Sequence, residues 1–202
     1  MKKQQLIVLK KTEMNKVQDI LEECLLKMAK DERNMRSPGN IPEEMLDPSI
    51  KTSNEYKGWK PIKSIIDDTD LAILENKIGH PLPLSYRTFL KYKHFIELQI
   101  QNTWVYFPKH LPDKNVSFLS ELVFNAMIPK KVIGKGYIYF ADFVDYGILC
   151  FDTNTKREHH EYPIVYIDNY DLEEIHPYAD NFLELLEADD NKGEQFFESI
   201  SD

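Results

Sequence analysis

Glycine and cysteine are scarce in this chain, with seven and two residues among 202. So few glycines leave no glycine-rich phosphate loop, and Gly134-Lys135-Gly136 lacks the flanking pattern of either nucleotide-binding motif. The two cysteines, Cys24 and Cys150, lie far apart, and neither has a partner at metal-ligand spacing. That excludes a disulfide scaffold and a cysteine-built zinc site, and points to a reducing, cytoplasmic setting. Cys24 falls on an apolar helix face and Cys150 inside an apolar strand, positions of inert buried thiols. No apolar run approaches the roughly 18 residues that span a membrane. Leu6-Ile7-Val8-Leu9 is too short for a signal-peptide core, and Lys10-Lys11 interrupts it at once. No nucleophile-elbow motif occurs. These absences set the expectation of a non-enzymatic protein without cofactor or metal, off the membrane.

Basic residues are missing from one place. Residues 160–202 hold thirteen Asp and Glu against a single base, Lys192, leaving twenty-one acids and twenty-four bases in the preceding 159 residues. The net charge of −9 therefore belongs to the last fifth of the chain. Such a surface repels nucleic acid and favours a cationic partner, acting on encounter rate and specificity. It reads equally as a solvated helix surface that aids solubility. An apolar content of 42% with 12% aromatics is enough for one well-buried core.

Periodicity places a first helix over 14–30, with Val17, Ile20, Leu21, Cys24, Leu25 and Met28 in register, after a short extended segment or frayed terminus over 1–11. Prolines and Gly39 make 33–60 an ordered but irregular connection. Strands are expected over 97–101 and 103–107, and a helix over 118–128 with Ser117 as a possible cap. Residues 137–141 and 147–151 read as a hairpin, 164–167 as a third strand, 179–187 as a helix, and Phe196, Phe197 and Ile200 as a last short turn. This order fits an α+β fold: a mainly antiparallel sheet with helices packed to one side, and an N-terminal helical extension. The expected division is an extension over 1–58 and a domain over 59–202.

The chain is organised around residues 71–92, two short helices joined by a proline-rich elbow. Thr69 can cap the first, whose Leu71, Leu74 and Ile78 share a face, and Gly79 ends it. Asp67, Asp68 and Asp70 complement the dipole at its start. Pro81 and Pro83 keep the chain extended, and Tyr86, Phe89 and Leu90 give the second helix its buried face. Glu75, Ile78-Gly79, Leu82-Pro83, Tyr86 and Phe89-Leu90 together resemble the signature of the SUKH superfamily, which includes bacterial immunity proteins against polymorphic toxins and fungal cell-wall assembly regulators. Tyr139-Phe140-Ala141-Asp142 followed by 147–152, then 163–166 and 179–186, are similar to that family's later strands and terminal helix. The resemblance spans about 59–187.

It implies a non-catalytic cytoplasmic protein, foremost an immunity protein that occludes a cognate toxin domain, a nuclease being a natural electrostatic complement. The alternative is a regulatory or scaffold module of the cell-wall-regulator type. The expected partner is a protein, with neither nucleic acid nor membrane engaged and a monomer favoured. Asp142, Asp145 and Asp152 read as either a partner-binding patch or turn chemistry. Turn chemistry is preferred for Asp142, while Asp145 and Tyr146 suit an interface gripping a basic, partly apolar surface. Asp152, Asp171, Glu173 and Glu174 complete the candidate partner-binding set, the last three as steering charges. His159-His160-Glu161 is weighed against metal binding, because neighbouring side chains on an extended segment face opposite ways.

Overall fold

In the computed structural model, which describes residues 2–52, 55–155 and 161–201, the chain opens with a long helix, α1 (Lys2–Ala29). Val17, Leu21, Leu25 and Met28 recur every three or four residues and are its buried stripe. The segment over 1–11, expected to be extended or frayed, is helical from Lys2. Neither Gly nor Pro interrupts residues 2–29, and Lys, Gln, Leu, Met and Glu there all favour helix. In the irregular region that follows, β1 (Arg36–Pro38) pairs antiparallel with β2 (Tyr56–Gly58), and Met35, Met45 and Trp59 are buried.

Two short strands, β3 (Ile62–Lys63) and β4 (Lys93–His94), pair across the base of the elbow. Between them lie α2 (Asp68–Ile78) and α3 (Leu84–Leu90). The N-cap of α2 is Asp67, not Thr69: its carboxylate accepts the N–H groups of Thr69 (2.7 Å) and Asp70 (3.1 Å), and Asp70 returns a bond from the Asp67 N–H at 3.0 Å. Such a reciprocal box satisfies more orphan donors than one hydroxyl can. Gly79 closes α2 at φ +82°, which only glycine adopts freely. The signature glutamate has a structural task. Glu75 Oε1 accepts the Leu82 N–H at 2.8 Å and Arg87 Nη1 at 2.5 Å, tying the elbow to both helices.

The main sheet is an antiparallel meander of β5 (Leu98–Ile100), β6 (Val105–Phe107), β7 (Tyr137–Phe143), β8 (Gly147–Asp152), β9 (Ile164–Asp168) and β10 (Ile175–Ala179), each strand beside its sequence neighbour. The helices α4 (Ser117–Asn125) and α5 (Pro129–Val132) come between β6 and β7. Ser117 is not the cap of α4. Its hydroxyl donates back to the Lys114 carbonyl, and the Asp113 carboxylate accepts the Phe118 N–H at 2.8 Å. Sequence periodicity missed β10 because Pro177 and the acids before it break the strand pattern. On an edge a proline costs no ladder bond, and the register shifts between Pro177 and Ala179. The strand takes Ala179, so α6 (Phe182–Glu187) begins late, capped by Asn181. The expected last turn is a ten-residue helix, α7 (Lys192–Ser201).

Phe107, Phe140 and Phe151 on one sheet face meet Tyr86 and Phe89 of α3 and Phe182 of α6, with Phe140 and Phe151 stacked at 4.3 Å and Tyr86 edge-on to Phe182 at 5.1 Å. Aromatic pairs at such distances add to simple burial. Helix α1 lies outside α3 and α6. There Glu22 accepts the Tyr92 hydroxyl and pairs with Lys93, both at 3.0 Å. Among the described residues, no helix is long and apolar enough to cross a membrane.

Candidate functional site

A meander puts alternate turns at one end of the sheet. Val105 faces Phe143, and Gly147 faces both Phe143 and Asp168, so the turns 101–104, 144–146 and 169–174 share that end. They are laced together: the Val144 N–H donates to the Trp104 carbonyl (3.0 Å), the Asn169 N–H to the Tyr146 carbonyl (2.9 Å), and the Asn169 amide to the Asp145 carbonyl (3.2 Å). Asp145, Tyr146, Asp171, Glu173 and Glu174 therefore come from two neighbouring tips.

Asp152 does not join them. It ends β8 opposite Tyr137, a strand length from Asp145, about 20 Å at ~3.3 Å per residue. Its carboxylate accepts the Asn154 N–H (2.9 Å) and the Thr155 hydroxyl (2.5 Å), which is turn chemistry. Asp142 is not in a turn. It lies within β7, where burial raises its carboxyl to about 6 although the Tyr139 hydroxyl donates to it at 3.0 Å. His159 and His160 lie outside the described residues.

Charge at the tips is unevenly spent. Glu173 pairs with Lys135 at 2.5 Å and Glu174 with His176 at 3.1 Å. Elsewhere in the acidic last fifth, Glu187 pairs with Lys16 and Asp190 with Lys27, both lysines on α1. Asp171 accepts the Glu173 N–H, and Asp168 accepts the Tyr170 and Asp171 N–H groups, so these two shape the β9–β10 turn. Among the described residues, Asp145 and Asp171 make no ion pair. Tyr146 is 43% exposed, and Tyr170, on the neighbouring tip, 89% exposed. Sequence reading did not single out Tyr170, although it stands in the same acid-rich run as Asp171.

The first tip is held in an unusual shape. Gln101, Asn102 and Thr103 have φ of +55°, +51° and +74°, and Val144 on the next tip +43°. For residues with a Cβ such angles cost roughly 1–2 kcal/mol each. The buried Gln101 amide offsets this by donating to the Leu185 carbonyl at 3.1 Å and accepting the Tyr178 hydroxyl. Behind the tips Trp104, Tyr146 and Phe197 of α7 form a stack, with Tyr146 and Phe197 at 4.4 Å and Trp104 and Phe197 at 5.4 Å. The result is a braced end that offers two tyrosines and, among the described residues, the carboxylates of Asp145, Asp168 and Asp171 outside any ion pair. It has the chemistry to grip a cationic surface.

A family model described as the SMI1/KNR4 family (SUKH-1) matches residues 65–188, more than half of the chain. No curated protein matches it.

Proposed function

The chain belongs to the SMI1/KNR4 family (SUKH-1), and on that premise we propose that it is an immunity protein which neutralises a cognate toxin domain by occluding it. The family includes immunity proteins, and its members are in general non-catalytic proteins that bind partner proteins. In this reading residues 59–202 form the binding domain, 1–58 extend it, and the hairpin-tip end makes the contact. The observation that carries it is the convergence of Asp145, Tyr146, Tyr170 and Asp171 from two tips laced by the Asn169 bonds. Tyrosine supplies rigid contact area at small entropic cost, and the carboxylates select a basic surface and speed encounter. A nuclease, whose substrate groove is basic, has the matching charge.

Co-expression tests this. Cells producing a nuclease-toxin domain drawn from the same genome should survive when the full chain is present, and survival should fall with Tyr146→Ala combined with Asp145→Lys. Failure to protect, with a stable complex formed instead with a regulatory protein of the same cell, would transfer the tip surface to the scaffold reading.

A further inference from the structure

Alternation along a strand sends residues three apart to opposite faces of a sheet. Tyr139 and Asp142 depart from that rule. The register of β7 against β8 slips between Tyr139 and Ala141, where β7 carries one extra residue. The bulge turns both side chains to one face, and the Tyr139 hydroxyl donates to the Asp142 carboxylate at 3.0 Å. Tyr106 of β6 and Ile148 of β8 stand directly opposite Asp142 and share its face. Ile148 is buried, whereas Asp142 and Tyr106 are half-buried and still reach solvent.

A carboxylate in this place works against the fold. It can accept about four hydrogen bonds, and among the described residues the Tyr139 hydroxyl is the one donor it meets. The charge that acts on it is Asp145, three residues on and of the same sign. Burial first, with Asp145 adding to it, raises the carboxyl to about 6 against the pull of the Tyr139 bond. No nearby cation offsets this. Of the elements packed on β7, β8 brings the buried Cys150 thiol and β6 brings Tyr106. The charged residues of α4 and α5 are Glu121, Lys130 and Lys131, all exposed, and Lys135 is paired with Glu173. An unpaired carboxylate costs more in a half-buried place than a neutral side chain would. Residues that oppose their own surroundings are expected where function requires them.

We propose that Asp142, beside Tyr106 and Asp145, is the seat for a lysine or arginine side chain of the protein partner. The contact surface then runs from the hairpin tips down the β7 face. Paired with a cation, the carboxylate keeps its negative charge, so binding expels the proton that the free protein holds below about pH 6. This rests on the tips being the binding end, and adds to them one residue and the group it receives.

Carboxyl-carbon NMR of the full chain with isotope-labelled aspartate tests it, using a hexa-arginine peptide as probe. At about 0.15 M salt, where the Debye length is ~8 Å, distant charge is largely screened. Saturating peptide should lower the Asp142 midpoint by at least about one pH unit and leave Asp152, at the other end of β8, unmoved. Peptide affinity should rise at least about fivefold from pH 5 to pH 7. Asp142→Asn, which keeps an acceptor for Tyr139, should flatten that rise and bind about tenfold more weakly at pH 7. An Asp142 midpoint that ignores the peptide overturns the proposal without recourse to any variant. So does an Asp142→Asn chain with wild-type affinity and pH dependence. If Asp145→Lys and Tyr146→Ala abolish binding while Asp142→Asn does not, the tips stand and the seat falls. If Asp142 responds to the peptide while tip variants still protect cells, the seat stands and the tips lose their role.

Discussion

Acid should unfold this protein partly through one histidine. His110 is 4% exposed, and its Nε2 lies 2.7 Å from the Leu90 carbonyl, where the neutral ring donates. Its ring stands 4.5 Å from that of the fully buried His94, whose Nε2 accepts the Ile65 N–H. Burial first, then the neighbouring His94, pushes His110 down from an ordinary 6.5 to about 3. Between those values the unfolded chain binds a proton that the folded one refuses, so stability is lost as pH falls through 6.5. From pH 7 to pH 5 this linkage removes about 2 kcal/mol. Asp142 acts in the opposite sense: raised to about 6, it takes its proton first in the folded state and returns about 1 kcal/mol over the same interval. The two are separable by substitution. Gln at 110 can still donate to Leu90 but does not titrate. Urea unfolding of wild type and His110→Gln at both pH values should show the variant's deficit shrinking by about 2 kcal/mol at pH 5. A deficit equal at both values would refute a neutral, buried His110.

Three further outcomes follow from packing and backbone. Glu75→Ala leaves the Leu82 N–H and the Arg87 guanidinium without their shared acceptor and should cost about 2–3 kcal/mol in urea, with Glu75→Gln losing less because it keeps an acceptor. Gly147→Ala should destabilise by about 2–3 kcal/mol, since the added methyl overlaps the Tyr166 ring and presses on the Ile167 carbonyl. Thr103→Gly should raise stability by about 0.5–1 kcal/mol, read as a higher melting temperature, by relieving a β-branched residue at φ +74°.

Local chemistry made the elbow legible. Gly79 and the Tyr86, Phe89, Leu90 face do in the fold what their spacing implies, and the antiparallel α+β architecture follows from the order of helices and strands. Asp67, Asp68, Thr69 and Asp70 are all able to cap α2, and only geometry chooses Asp67 over the Thr69 that spacing suggests. Strand β10 was hidden by Pro177, whose cost depends on lying at a sheet edge. The tips were half legible. Asp145 and Tyr146 flank a hairpin, but their meeting with Asp171 depends on the strand order, and the separation of Asp152 from them follows from the length of β8. The pairing of Glu187 and Asp190 with lysines of α1 joins residues more than 160 positions apart, which no local pattern reveals. That pairing takes two of the acids of the last fifth into contact with α1.

Partner recognition at the hairpin-tip end is the role we propose for this surface. It is tested most directly by surface plasmon resonance with the cognate toxin domain, comparing Asp145→Lys, Tyr146→Ala and Asp171→Lys with Asp152→Asn at the opposite end of β8. Each tip variant should weaken binding at least about tenfold, the lysines slowing association at low salt and Tyr146→Ala speeding dissociation, while Asp152→Asn binds as wild type. Full affinity in the tip variants, or a loss confined to Asp152→Asn, would contradict it.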